Sequence, residues 1–171
     1  TEAGRQGIIT YMMTPDKDYG QLVSDNVFMY RPKHSGGFEV MGIDEIKAKF
    51  NIRSTEQVID MLGLMGDSSD NIPGCPGVGE KTAQKLVAEF DSIENLLAHT
   101  DQLKGALKTK VEANREMITF SKFLATIKVD VPIKLDMTTL VREEPDEEKL
   151  RKIFEELEFR TLIDRVLKKS G

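Results

Sequence analysis

The sequence predicts an α/β fragment followed by a mostly helical part. Three observations point there. Three short apolar, β-prone runs lie among the first 41 residues. From Gly42 onward, apolar residues recur at helical spacing behind Ser, Thr and Asp. A glycine-rich loop within residues 66–86 (GDSSDNIPGCPGVGEKTAQKL) opens directly onto one of those helices.

Each element can be justified in order. Ile8 to Met13 (IITYMM) is apolar and β-prone, and reads as an interior strand. Asn26 to Tyr30 and Phe38 to Met41 are two more strands, and the turn His34-Ser35-Gly36-Gly37 between them makes a hairpin at a sheet edge. Gly42 to Phe50 places Ile43, Ile46 and Phe50 near helical spacing. Ser54 or Thr55 caps a helix running through Val58, Ile59, Leu62 and Met65. Glu80 to Phe90 follows the glycine loop, with Ala83, Leu86, Val87 and Phe90 on one face. Ser92 begins a short helix, and Lys104 to about Ala125 is a long helical region. Val129 to Leu135 is extended, limited by Pro132 to an edge or a non-strand. Pro145-Asp146-Glu147 starts an acidic-first helix, favourable for the macrodipole, with Leu150, Ile153, Phe154 and Leu157 inward. Thr161 to Lys169 forms the last helix.

The chain has 171 residues and 39% hydrophobic content, enough for one domain with a core or two small lobes. No apolar run approaches the eighteen or so residues of a membrane span, so no membrane partner is expected. The lone cysteine, Cys75, allows no internal disulfide, which fits a reducing cytoplasm. His34 and His99 offer no zinc spacing. The opening TEAGRQG is patterned like a helix end ahead of a strand, so a piece cut from a longer protein is expected.

Net charge is −5, but its distribution matters more than its sum. Residues 1–70 carry −4, residues 71–135 carry +1, and residues 136–171 carry −2. The middle third, which holds the glycine loop, is the least acidic. Acid gathered at a metal site is neutralised when ions bind.

Three motifs bear chemistry. Asp16 and Asp18 flank Lys17 at the carboxyl end of the first strand, where open α/β sheets bind ligands. On extended chain their carboxylates project to one side. The alternative is a solvated turn. Asp67 and Asp70 share a face if they lie on a helical turn, although a helix end followed by an N-cap uses the same residues. Carboxylates in such pairs suit a hard divalent ion. The third motif is Ile72 to Ala83, whose glycines let N–H groups approach a phosphate, with Lys81 as a point charge beside them. The alternative is a tight connector between two helices. Its spacing is not that of a P-loop.

Together these residues amount to a resemblance. TPDKDYGQLV with Asp16 and Asp18, GDSSDNIPG with Asp67 and Asp70, the hairpin GVGEKTAQKL and the late segment KIFEELEFRTLIDRV resemble the 5' nuclease domain of bacterial DNA polymerase I. The match covers nearly the whole chain. It implies a remnant of a PIN-like 5' nuclease core over residues 1–65, a helix-hairpin-helix (H3TH) DNA-binding region over 66–130, and a closing extended segment with helices over 131–171. It also implies metal-dependent hydrolysis of DNA at 5' flaps and junctions in replication and repair, in the cytoplasm of a bacterium at the nucleoid. By the match, Asp16, Asp18, Asp67 and Asp70 hold Mg2+ or Mn2+ and serve catalysis. Gly74, Gly77, Val78, Gly79, Lys81 and Thr82 grip duplex DNA, and the hairpin can take K+. The implied partners are DNA and the rest of a polymerase chain. The family's first acidic strand, its arch and an upstream acidic motif are not matched in this chain, so an incomplete catalytic cluster is expected, with DNA binding retained. The rival reading is a non-catalytic helix-hairpin-helix module, which needs the glycine loop but not the paired acids. Lys104, Lys108, Lys110, Arg115 and Lys122 are either a solvated face or a second DNA-backbone patch.

Overall fold

The computed structural model describes residues 1–33 and 35–167. His34, in the expected turn, and Lys168 and Lys169, at the end of the expected last helix, lie outside the described residues. The chain divides into two compact units, residues 1–133 and the segment from Lys134 onward.

The first unit opens with a one-turn helix α1 (Glu2–Arg5) and three strands, β1 (Thr10–Met12), β2 (Val27–Pro32) and β3 (Phe38–Met41). β1 runs parallel to β2, with Thr10 opposite Val27 and Met12 opposite Met29. β2 and β3 form the expected antiparallel hairpin, with Met29 opposite Met41. Strand alternation sends Val27 and Met29 into the core, while Tyr11, Phe28, Tyr30 and Phe38 form a row of ring contacts along the other face, stacked only at Tyr30–Phe38. The expectation that the first strand is interior is not met. β1 is the sheet's edge among the described residues, and Ile9, Tyr11 and Met13 are exposed. Apolar, β-branched content marks a strand but does not count its neighbours.

α2 (Ile43–Phe50) follows β3, and a 3-10 turn (Thr55–Gln57) leads into α3 (Val58–Met65). Ser54 stands at the N-cap of that turn, where the Gln57 carboxamide oxygen accepts from the Arg53 and Ser54 amides at 2.8 and 3.3 Å. α3 is the hub of the unit. Val58, Met61 and Leu62 are wholly buried, each worth roughly 1.5–3 kcal/mol. α4 (Glu80–Phe90) and α7 (Arg115–Ala125) pack against it, with α5 (Ile93–Ala98) beside them. The expected long helix over 104–125 is two helices. α6 (Gly105–Ala113) and α7 are separated by Asn114, whose side-chain amide donates to the Lys110 carbonyl at 2.7 Å and so competes with the helical ladder.

Two features lock α3 to α7. Gly63 lets the helices touch, since a Cβ there would stand 3.0 Å from the Lys122 Cα. Asp60, buried on α3, accepts from the Ile93 amide at 2.8 Å and from Lys122 Nζ at 2.6 Å, and Lys122 also reaches Glu94 at 2.7 Å. Burial pushes the Asp60 carboxyl up, and more strongly than Lys122 and the Ile93 amide pull it down. Burial raises the Glu94 carboxyl too, but Lys122 outweighs it and holds the group low.

The end of α3 meets the glycine loop backbone to backbone. Gly74 has φ +63°, and a Cβ on it would lie 2.3 Å from the Gly66 nitrogen. Gly66 has φ +73°, and a Cβ on it would lie 2.6 Å from the Ile72 carbonyl oxygen. The Cys75 amide donates to the Leu64 carbonyl at 2.8 Å, and the Gly74 amide donates to the fully buried Ser121 hydroxyl of α7 at 3.0 Å. The loop is thereby tied to both central helices.

In the second unit, α8 (Glu147–Glu156) starts behind Asp146, which accepts from the Lys149 amide at 3.0 Å, and α9 (Arg160–Leu167) follows. Ile153 and Leu157, expected to face inward, are 49% and 53% exposed. Two short helices cannot cover both apolar stripes by themselves. No helix among the described residues is long and apolar enough to cross a membrane.

Lys122→Met is expected to cost about 3–5 kcal/mol at neutral pH, because it strands a buried carboxylate. Asp60's raised pKa means the native state binds its proton more readily than the unfolded chain, so stability from this group falls as pH rises through that window. Removing the cation widens the window, and it also abolishes the Glu94 stabilisation that the parent chain loses on acidification. Urea unfolding should therefore show the variant's deficit shrinking from pH 7 toward pH 5, and a growing deficit would contradict the assignment. Gly74→Ala combines a positive φ with a backbone clash and should cost at least about 2 kcal/mol in the same assay.

Candidate functional site

The four predicted carboxylates are delivered by two loops. Asp16 is the N-cap of a 3-10 turn (Lys17–Leu22), and its side chain accepts from the Asp18 amide at 3.0 Å. The expected extended geometry for Asp16 and Asp18 is therefore corrected: a local side-chain-to-backbone bond curls the chain. Asp67 pairs with Ile72 in an isolated bridge, the two exchanging amide-to-carbonyl bonds of 2.9 and 2.8 Å, and this closes a loop that carries Asp70. Of the two readings offered by the sequence, the helical turn is not formed: α3 ends at Met65 and Asp67 lies just beyond it. Asp67 and Asp70 come together because the loop is pinched shut, with Asn71 at φ +57° completing it.

Asp18, Asp67 and Asp70 each place a carboxylate oxygen within 4.8 Å of the others. Asp16 lies beside this trio rather than in it, its carboxylate engaged in the cap. Asp18 Oδ1 is buried and has no hydrogen-bond partner. Burial, then the Asp16 charge, pushes the Asp18 carboxyl up to about 6. Burial also raises Asp67, but the Lys17 ammonium and the Ser69 amide outweigh it and hold the carboxyl below the usual range. A buried carboxylate oxygen with no hydrogen-bond donor, beside two further carboxylates, is a donor set for a hard divalent cation, so the residues fit such an ion.

The glycine loop stands on the other side of the same loop. Val78 is buried and donates to the Cys75 carbonyl at 2.9 Å. Gly77 is exposed with φ +76°. Gly79 caps α4, its carbonyl accepting from the Thr82 and Ala83 amides. Among the described residues the amides of Gly79, Glu80 and Lys81 have no protein acceptor, as at any open helix start. Lys81 is exposed and Thr82 half-buried. Cys75 is buried, which pushes its thiol up and leaves it inert. A groove of about 530 Å³ is lined by Lys17, Asp67, Ser69, Pro73, Gly79 and Glu80, so the acid cluster and the start of α4 share one wall.

The structure sorts the basic residues that sequence left undivided. Lys122 is consumed by Asp60 and Glu94, and Lys108 lies 3.9 Å from Glu112. Lys110 is different. Its ammonium lies over the hairpin, where a Cβ on Gly77 would stand 2.5 Å away, and no carboxylate pairs with it among the described residues. Two further cations went unnoticed in the sequence. Arg31 of β2 and Lys49 of α2 line a groove of about 360 Å³ with Asp16, Lys17 and Asp70. They lie outside the acidic motifs along the chain, and the strand hairpin together with α2 brings them near.

Residues 53–148 match the family model described as 5'-3' exonuclease, C-terminal SAM fold. The chain is 42% identical over 166 residues to DNA polymerase I of Bacillus subtilis and 39% identical over 163 residues to the thermostable DNA polymerase I of Thermus filiformis. These alignments cover 96% and 95% of this chain but only 19% of each relative, so the chain spans about a fifth of their length. Among solved structures, the bacteriophage T5 flap endonuclease in a complex with DNA and metal ions superposes with a TM-score of 0.62 at 22% identity, over 72% of this chain and 44% of that one. The T5 5'-exonuclease with divalent zinc bound gives 0.61 at 23%, over 72% and 45%. The catalytic core of Rad2 gives 0.52 at 18%, over 83% and 53%. At these identities the superpositions speak for the fold, while the family match spans more than half of the sequence: this chain belongs to the 5'-3' exonuclease family with the C-terminal SAM fold.

Proposed function

We propose that this chain is the DNA-gripping part of a polymerase-linked 5' nuclease, together with one side of its metal cluster. The single observation that carries this reading is the shared groove: Asp67 and the Gly79–Glu80 start of α4 line the same wall. A duplex backbone held at the hairpin passes directly beside the acids.

Asp18, Asp67 and Asp70 would hold a divalent ion, Mg2+ or Mn2+, with Asp16 supplying negative charge alongside. At that position a divalent ion would supply Lewis acidity, polarising a water and offsetting charge at the scissile phosphate. The chain's own residues do the rest. The amides of Gly79, Glu80 and Lys81 and the α4 dipole receive a phosphate, and Lys81, Lys110 and Thr82 surround it. Gly74, Gly77 and Val78 shape the hairpin that presents these groups, and the hairpin carbonyls can take K+. The substrate is duplex DNA with a 5' flap or junction, the reaction is phosphodiester hydrolysis in replication and repair, and the working partner is the remainder of a polymerase chain in a bacterial cytoplasm. Three converging carboxylates are few for a pair of ions, so the chain by itself binds junction DNA and cleaves it poorly. The rival reading, a non-catalytic helix-hairpin-helix module, has no use for the orphaned Asp18 oxygen.

Lys81→Ala and Lys110→Ala should each weaken duplex binding across sequences and lower the slope of log affinity against log salt by about 1, read by fluorescence anisotropy. In a whole nuclease domain containing this chain, Asp67→Asn should abolish magnesium-dependent flap cleavage and leave junction binding intact. Retained cleavage in that variant would remove Asp67 from the reaction.

A further inference from the structure

Three negative charges within 4.8 Å of one another repel strongly, and a protein without a bound ion must hold them by other means. Here the means is on the same turn. Lys17 Nζ is hydrogen-bonded to Asp67 Oδ2 and lies 3.8 Å from Asp18 Oδ1. The lysine is not confined there. About a third of its side chain is exposed, on the groove that Arg31 and Lys49 also line.

We propose that Lys17 is the resident counter-cation of the acid cluster, occupying it in the ion-free protein and leaving it when a divalent ion arrives. This inference rests on the metal reading above. An ion on the Asp67 carboxylate would set a double positive charge directly beside the lysine ammonium, and that like-charge repulsion drives the lysine off Asp67 Oδ2. Binding is thus an exchange of one cation for another. The lysine keeps the carboxylates assembled beforehand, at the cost of some affinity. Its flexible stem lets the ammonium swing into the groove, away from the incoming charge.

The test separates exchange from simple charge. Lys49 lines the same groove as Lys17 but makes no ion pair with the cluster among the described residues, so Lys49→Gln removes the same charge without removing the competitor. Mn2+ binding to the whole chain is followed by electron paramagnetic resonance. Lys17→Gln should tighten Mn2+ by about tenfold, and clearly more than Lys49→Gln. The second readout is melting temperature. Lys17→Gln should melt below the parent in chelator, and saturating Mn2+ should close that gap. Equal gains from both variants, or a gap that persists in Mn2+, would overturn the exchange while leaving the metal site standing. Absence of Mn2+ binding by the parent chain would overturn the metal reading itself, and the exchange with it.

Discussion

The backbone contact between Gly66 and Gly74 is the constraint on which the rest depends. It ends α3, turns the chain, and presses the glycine loop against the helix it has just left. Residues on either side of this contact then point to different tasks. Asp67 follows Gly66 and enters the pinched loop that carries Asp70. Cys75 to Gly79 follow Gly74 and lead into α4. No side chain fits at the point of contact. The joint therefore has only one close-packed arrangement, and it sets the distance between acids and hairpin.

α3 supports the joint from below. Because Val58, Met61, Leu62 and Leu64 are all buried, the helix cannot rotate without exposing apolar surface. Because Asp60 is held by Lys122 and the Ile93 amide, it cannot slide along α7 without stranding a charge. Ser121 completes the arrangement by bonding the hairpin from α7. Stability and function thus share parts: Lys122, a DNA-contact candidate by sequence, is spent on holding the scaffold. Lys110, one helix earlier, keeps its ammonium over Gly77, with no carboxylate paired to it among the described residues.

Much of this was legible in the sequence, and the reasons it was or was not are physical. Glu80–Phe90 was legible because its apolar period and its glycine entry agree. Asp18, Asp67 and Asp70 were legible as a set only through the order of motifs, because their convergence depends on a 3-10 turn and a pinched loop that short-range patterns do not encode. The edge position of β1 was not legible, since Ile8 to Met13 says nothing about pairing partners. The break at Asn114 was hidden because its neighbours keep helical spacing on both sides. Arg31, Lys49 and the unpaired state of Lys110 are properties of tertiary placement alone.

Hydrogen bonds from Gly74 to Ser121 and from Cys75 to Leu64 tie the hairpin to α7 and α3. Native-state hydrogen exchange at the Gly74 and Cys75 amides tests this tie most directly, because their acceptors are Ser121 Oγ and the Leu64 carbonyl. Both amides are expected to exchange only through global opening, with the same free energy as the core amides of α3. Rapid exchange of these two amides while α3 remains protected would show instead a hairpin that opens by itself, not one locked to the two helices.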